Sequence, residues 1–338
     1  MCSSDLAAIG NCAVAALIDC DGRIVWWCMP RLDGDPVFCN LLAGNADWGF
    51  ADVDLADRVE CKRSYLRNTA MLETLLTDQS GAQVRIPDFA PRFRNHRRTF
   101  RPIMLIRRIE PVSGRARIRL RIRPRFDYGA TEPRHTLGSN HIRYIGNDSS
   151  MRVTTDAPVS YIENETLFVL DQPINLIFSQ DESFESPVAH TARDFAERTN
   201  EFWLEWVRDL AIPFEWQDAV IRAAITLKLC EYEETGAIVA ALTTSLPEHA
   251  NSGRNWDYRF CWLRDATFTL LSLMNSGYTE EASAWHNWLL RAAAGAPANM
   301  QIMYGIWGQR RLLEWEATWL NGYEDRKSTR LNSSHRCI

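Results

Sequence analysis

Arg254-Asn255-Trp256-Asp257-Tyr258-Arg259-Phe260-Cys261-Trp262-Leu263-Arg264-Asp265-Ala266 alternates large rings with charges of both signs, and a nearly unbroken apolar run, Phe268 to Met274, follows it. A plain core has no use for Arg264 beside Asp265, and a solvated face has no use for so many rings. A sugar pocket needs both: flat apolar faces for the C–H side of a pyranose, and charged groups for its hydroxyls. The competing reading is a buried ion-pair knot at a helix start, with Asp265 as N-cap before Ala266.

The same segment closely resembles the Asn-Trp-Asp-Tyr-Arg-Tyr-Cys-Trp-Leu-Arg-Asp-Ala signature of glycoside hydrolase family 15, the glucoamylases and trehalase-like enzymes, with Phe260 in place of the usual Tyr. A match of this length is far more specific than a short motif. The resemblance implies a multidomain β + α chain, an N-terminal antiparallel β-sandwich followed by an (α/α)6 barrel of the six-hairpin glycosidase type. It also implies an exo-acting, inverting α-glucosidase that needs no cofactor and no metal. By the same resemblance Arg264 and Asp265 grip hydroxyls of the non-reducing glucose, while Trp256, Asp257 and Trp262 wall or brace the pocket.

Both ends read differently from the rest. Asp325-Arg326-Lys327-Ser328-Thr329-Arg330-Leu331-Asn332-Ser333-Ser334-His335 is the translation of a common sequencing-library adapter. Cys2-Ser3-Ser4-Asp5-Leu6 is the translation of its reverse complement, with Met1 standing for a GTG start. The expected division is therefore 1–6 adapter-derived, 7–190 β-sandwich, 191–212 linker helix, 213–324 the N-terminal part of a truncated barrel, and 325–338 adapter-derived. These ends are set aside from fold reasoning and are expected to have no packing role.

The 338 residues carry a net charge of −5, and removing the four basic and two acidic residues of the two ends leaves −7. Mild acidity argues against nucleic acid as the main partner. The hydrophobic fraction, 46%, suffices for two cores. Seven cysteines remain between the ends, an odd number without a Cys-x-x-Cys pair. They read as buried free thiols in a reducing, cytoplasmic compartment, with export left open because the gene's true start is not certain. No apolar run reaches the length of a membrane span, so no membrane partner is expected.

The first half reads as short strands. Ala13 to Ile18 and Arg23 to Trp27 flank the hairpin signal Asp21-Gly22. Arg115 to Arg123 alternates arginine with apolar residues, a half-buried antiparallel strand whose charged face is expected to pair with acidic neighbours rather than with a polyanion. Runs at Met71–Asp78, Gln83–Phe89, Arg101–Ile109, Met151–Thr155 and Asn175–Ser179 complete a sandwich pattern. The Cys12 to Asp33 segment resembles the opening of bacterial members of the family. From about His190 the period turns helical: Ala192, Phe195, Thr199, Phe202, Trp206 and Leu210, then Trp216 to Leu227. Thr235 to Glu248 also resembles a family segment, with Leu242 where the family usually has Pro. Ala266–Ser276 and the stretch after Thr279 give two further helices, the first apolar nearly all round as an inner barrel helix is.

Hydrolysis with inversion needs a carboxylic acid at the leaving oxygen and a carboxylate behind a water, roughly 6.5–9.5 Å apart. Glu314 and Glu316 are spaced to point in different directions on a helix. Gly305-Ile306-Trp307 resembles the start of the family's acid-bearing Gly-Ile-Trp-Glu, but Gly308 follows. The surrounding Gln301 to Leu312 and Asn321-Gly322-Tyr323 instead resemble an earlier family segment, from which Trp307, Gln309 and Leu313 depart. On that alignment the general acid and base lie beyond Tyr323, and the chain as given is expected to be inactive. The partner is a carbohydrate, an α-glucoside, with starch, maltooligosaccharides, isomaltose and trehalose undistinguished. A disaccharide phosphorylase-like enzyme and a non-catalytic carbohydrate-binding or regulatory protein are the alternatives.

Overall fold

A computed structural model describes residues 6–43, 47–244, 256–293, 300–313, 315–320 and 329–331, with backbone alone for 316 and 329–331. The chain divides into two units: Met1–Pro30 with Asp35–Glu205, and Arg31–Gly34 with Trp206–Ile338.

The first unit is built from seventeen described strands. In chain order they are β1 (Ala7–Gly10), β2 (Ala15–Ile18), β3 (Ile24–Met29), β4 (Asp35–Phe38), β5 (Phe50–Leu55), β6 (Arg58–Tyr65), β7 (Leu72–Asp78), β8 (Gln83–Phe89) and β9 (Phe93–Asn95). Then follow β10 (Arg98–Phe100), β11 (Met104–Ser113), β12 (Arg117–Arg123), β13 (Arg134–Leu137), β14 (His141–Ile145), β15 (Ser150–Thr155), β16 (Phe168–Val169) and β17 (Ile174–Ser179). One antiparallel sheet runs β1-β2-β3-β5-β12-β16 with β4 on β3, and a second runs β13-β14-β15-β17-β11-β8-β7-β6. Two short helices, α1 (Asn40–Ala43) and α2 (Val159–Glu163), interrupt the strands.

Alternation explains the sheets. On β12 Ile118, Leu120 and Ile122 are buried, and they join one core with Trp27 and Val53 from the same sheet and Val84, Ile109 and Phe178 from the other. The arginines on the opposite face are paired, as expected. Arg121 forks onto Asp52 at 2.9 and 2.6 Å, and Arg123 onto Glu165 at 2.7 Å through each nitrogen. Arg117 reaches Asp57 at 3.0 Å. The guanidinium groups of Arg121 and Arg123 also lie over the Phe50 ring, 5.4 and 5.6 Å from its centre. No bare cationic stripe is left on this strand.

One charge goes inward. Arg107 on β11 is wholly buried and forks onto Asp88 of β8 at 2.7 and 2.9 Å. Two more of its hydrogens go to the carbonyls of Gly22 (2.8 Å), in the turn between β2 and β3, and of Ala51 (3.1 Å) on β5 of the other sheet. This guanidinium is a polar rivet between the two layers.

Helix α3 (Val188–Arg208) starts where the period changes, and Val188, Ala192 and Ala196 pack on Met71, Phe89 and Ile106. Phe195 meets Phe93 and Phe100, the two rings that close the β9–β10 hairpin, at 5.2 and 5.5 Å. Arg92, buried, stacks over Phe202 at 4.5 Å.

The second unit holds α4 (Gln217–Leu229), the pairs β18 (Glu231–Tyr232) with β19 (Ala237–Ile238) and β20 (Cys261–Trp262) with β21 (Met303–Tyr304), α5 (Leu263–Asn275) and α6 (Glu280–Ala292). The apolar run after Asp265 forms helix α5, on which Phe268, Leu271 and Met274 are exposed, because no described element covers that side. One expectation is corrected. The segment at the C-terminal end has a packing role at the backbone, since β22 (Trp315–Ala317) pairs with β23 (Thr329–Leu331). The edge of an extended strand presents main-chain donors and acceptors, and those bind an extended segment whatever its side chains. The rest of that end, 325–328 and 332–338, and residues 1–5 lie outside the described residues.

Candidate functional site

The stretch quoted first is described from Trp256 onward; Arg254 and Asn255 lie outside the described residues. Its charges and rings separate by position. Asp257 and Arg259 turn inward and are wholly buried, while Trp256, Tyr258 and Trp262 stay half-buried. The Asp257 carboxylate takes the backbone N–H of Arg259 at 2.9 Å, closing a local turn, and receives the Arg259 fork at 3.0 and 2.7 Å. Arg259 Nη1 donates to the Gly34 carbonyl at 2.6 Å.

That turn sets the rings. Trp262 Nε1 donates to the Asp257 carbonyl at 3.0 Å, so the indole folds back over the turn. There it meets Trp256 edge-on at 5.5 Å and Tyr258 edge-on at 5.7 Å. Three aromatic side chains thus gather on one small patch. Cys261, between them, is fully buried, and burial pushes its thiol up to about 12. It is inert packing.

Arg264 and Asp265 open the helix that follows. The competing reading of Asp265 as N-cap is not met. Pairing of Cys261–Trp262 with Met303–Tyr304, extended by Leu263 N–H to the Ile302 carbonyl at 3.0 Å, keeps the backbone extended through Trp262. The helix begins at Leu263, Trp262 occupies the N-cap, and Asp265 sits in the first turn, where the helix dipole favours an anion. Arg264 is paired with Asp265 at 3.1 Å, with side chains 70% and 31% exposed. An exposed ion pair of this kind is worth little by itself.

Of the five residues read from the sequence, the structure brings Trp256 and Trp262 into one patch and leaves Arg264 and Asp265 accessible. Asp257 is fully occupied by Arg259 and braces the turn from within. Tyr258 was missed as a ring of the patch, and Arg259 as the partner of Asp257. The signal was present: within a four-residue turn Trp256 and Tyr258 share one side, and Asp257 and Arg259 the other.

The segment after β21 is a tight turn. Gly305 N–H bonds the Gln309 carbonyl at 3.0 Å, Gly308 N–H bonds the Gly305 carbonyl at 2.8 Å, and Trp307 N–H reaches Gln309 Oε1 at 3.0 Å. Gly308 has φ +81°, a conformation that an acidic side chain at this position would occupy only under strain. Glu314 and the side chain of Glu316 lie outside the described residues, as do Ser245 to Glu248 of the other family-like segment. Among the described residues, no group of three or more His, Cys, Asp or Glu side chains is placed to hold a metal ion. None of the described helices is long and apolar enough to cross a membrane.

Comparison with known proteins agrees with both halves. Residues 215–336 match the model of glycosyl hydrolases family 15, and residues 4–165 match the trehalase-like N-terminal model. A protein named Trehalase from Mycolicibacterium smegmatis is 30% identical over 363 residues, covering 98% of this chain and 53% of its own length. Trehalase from Mycobacterium tuberculosis is also 30% identical, over 98% of this chain and 52% of its own. Trehalase 1 from Sulfolobus acidocaldarius is 28% identical, over 97% and 56%. The chain spans about half the length of these relatives. With an antiparallel two-sheet unit ahead of a helical one, and the Trp-Asp-Tyr-Arg…Trp-Leu-Arg-Asp stretch at the head of a helix, the chain belongs to glycosyl hydrolases family 15 and carries that family's trehalase-like N-terminal segment.

Proposed function

We propose that the chain supplies the sugar-gripping part of an exo-acting, inverting α-glucosidase of trehalose type. The observation that carries this reading is the exposed Arg264–Asp265 pair leaving directly from the aromatic patch of Trp256, Tyr258 and Trp262. Arg264 and Asp265 hold hydroxyls of the non-reducing glucose. Trp256, Tyr258 and Trp262 form the wall, and Asp257 holds the wall in place. Charged hydrogen bonds of this kind contribute about 1.5–3 kcal/mol each. The names of the relatives favour trehalose over a longer glucan as the substrate.

The helical unit is the first part of an (α/α)6 barrel in this reading, and both catalytic carboxylates belong to chain beyond Tyr323. Two observations support that placement. Gly308, with its positive φ, stands where the acid of a Gly-Ile-Trp-Glu segment would be. The buried carboxylates described in this unit are also already engaged, Asp257 by Arg259 and Glu231 and Glu281 by Lys228. Without an acid the leaving oxygen stays unprotonated, and without a base no water is activated. Binding a ground-state sugar does not lower that barrier.

The experiment compares the chain as given with the uninterrupted gene product, each incubated with trehalose and with maltooligosaccharides while free glucose is followed. Glucose from the longer protein, with trehalose preferred, and none from this chain is the expected result. Glucose from this chain above a matched blank, abolished by Asp265→Asn, overturns the placement of the catalytic pair. Turnover by the longer protein only with added phosphate overturns hydrolysis in favour of phosphorolysis.

A further inference from the structure

The helical unit buries one ammonium among several carboxylates. Lys228, near the end of α4, places Nζ 2.5 Å from Glu231, 2.9 Å from Glu281 and 2.9 Å from Glu233. Lys228, Glu231 and Glu281 are 5%, 3% and 6% exposed, and Glu233 is the more open member. The acids come from separate elements, Glu231 and Glu233 from the β18 hairpin and Glu281 from the first turn of α6.

The charges do not balance. Leaving Glu233 to its more open position, Glu231 and Glu281 still outnumber the single ammonium, and an uncompensated buried carboxylate is strongly unfavourable. One oxygen makes the imbalance visible: Glu281 Oε2 is buried without a hydrogen-bond partner. A lone carboxylate oxygen has no stable reason to be there. A proton retained by one of the carboxyls lowers the net charge by one and adds an acid O–H as a second donor beside the ammonium.

We propose that Lys228, Glu231, Glu233 and Glu281 form a buried proton-binding site, and that loss of the proton as pH rises loosens the junction of α4, the β18–β19 hairpin and α6. The Glu231 carboxyl is held above its ordinary 4.5, first by burial, with Glu233 and Glu281 pushing the same way and Lys228 opposing. Tyr278 faces the cluster, and other titratable groups lie on the same elements. Tyr278, ahead of α6, feels Asp209, Glu281 and Lys228 and donates its hydroxyl to the Trp206 carbonyl. Glu234 accepts from the Tyr232 hydroxyl at 3.0 Å, and the Cys230 thiol is kept neutral, pushed up to about 12 by burial. A carboxyl with a raised folded value stabilises the fold fully below its unfolded value, near 4.5, and loses that contribution as pH rises through the folded value. This is the opposite of the usual salt-bridged acid. The site is independent of the sugar-binding reading.

Glu231→Gln tests it in the full chain, because glutamine has the shape and the donor of the protonated acid but cannot lose it. The helical circular dichroism signal is followed on heating at about pH 5 and about pH 8. The variant is expected to melt about 3 °C or more above the parent at the higher pH, and within about 1 °C of it at the lower. A variant that is less stable than the parent by the same amount at both pH values overturns the proposal, since the charge would then be what the fold needs. Infrared spectroscopy gives a second reading. A carboxylic-acid C=O band at about pH 6, above the ordinary range of both acid types, that disappears from the parent on further titration and is weaker in Glu231→Gln supports the site; the Asp19 and Asp88 carboxyls, which burial also raises, are common to both proteins. Absence of any such band at that pH overturns it, whether or not Glu231→Gln folds.

Discussion

Asp257 and Arg259 hold each other through two side-chain bonds of 3.0 and 2.7 Å across a single intervening residue, and both are 1% exposed. The pair faces inward, yet its effect is outward. The Asp257 carbonyl anchors the Trp262 indole, and Tyr258, between the two charges, is turned toward that indole. A buried ion pair is therefore the foundation of the aromatic patch.

Asp257→Asn keeps the shape of the side chain and leaves Arg259 as a buried charge without its counter-ion. The expected loss of stability is about 3–5 kcal/mol in the second unit, the range for breaking one partner of a buried pair. Urea unfolding followed by tryptophan fluorescence measures it. A loss below about 1 kcal/mol would show that the carboxylate faces solvent and is free to bind sugar.

Arg107→Met makes the matching test in the first unit. Asp88 would be stranded and two carbonyls, of Gly22 and Ala51, would lose their donor. A loss of about 3–5 kcal/mol is expected, against no more than about 0.5 kcal/mol for Arg117→Met, whose ion pair lies in solvent. Equal effects from the two variants would mean that the inter-layer bonds contribute nothing.

The legible strands are those where apolar and polar residues alternate or a hairpin signal stands between two runs; the buried strands β1 and β4, which lack that pattern, were not read, and neither was the short alternation of β5. Gln83–Phe89 is the same run in sequence and structure, and the arginine face of β12 pairs with acidic neighbours as its alternation implied, the partners being Asp52, Asp57 and Glu165. Strand β6, Arg58–Tyr65, also escaped: it is mostly exposed on the sheet's edge, where period-two burial has no grip. The β9–β10 hairpin escaped for a related reason: its turn is polar, and only Phe93 and Phe100 fasten it. At the candidate site the sequence supplied the residue types but not their directions. Asp257 and Asp265 are equivalent by composition. What separates them is the turn that buries the first and the strand pairing that carries the second onto an open helix end. Short-range backbone geometry made that choice.

Arg264→Lys and Asp265→Asn in the uninterrupted gene product are expected to lower kcat/KM for trehalose at least about tenfold each. Folding is expected to be nearly unchanged, within about 0.5 kcal/mol, because the pair is open to solvent. Lysine keeps the charge but loses the planar fork, so it separates shape from charge. Normal kinetics in both variants would return the pair to a helix-end role alone.

Helix α5 carries the last test. Phe268, Leu271 and Met274 recur every three residues, so they form one stripe, and they are 65%, 49% and 45% exposed. Ala266 and Leu273 are buried, so the stripe is additional to the side that packs within the unit. Apolar stripes left open drive self-association. Phe268→Gln combined with Leu271→Lys is therefore expected to raise the monomer fraction of this chain in sedimentation velocity. The urea midpoint should stay put, because neither side chain is fully packed in the monomer. If the double variant instead costs more than about 2 kcal/mol, as deletion from a packed core does, then both residues are covered within the chain in solution. If monomer fraction and stability both stay unchanged, the stripe is not what associates. A rise in monomer at constant stability leaves one explanation, that α5 presents a face made to be covered by more protein.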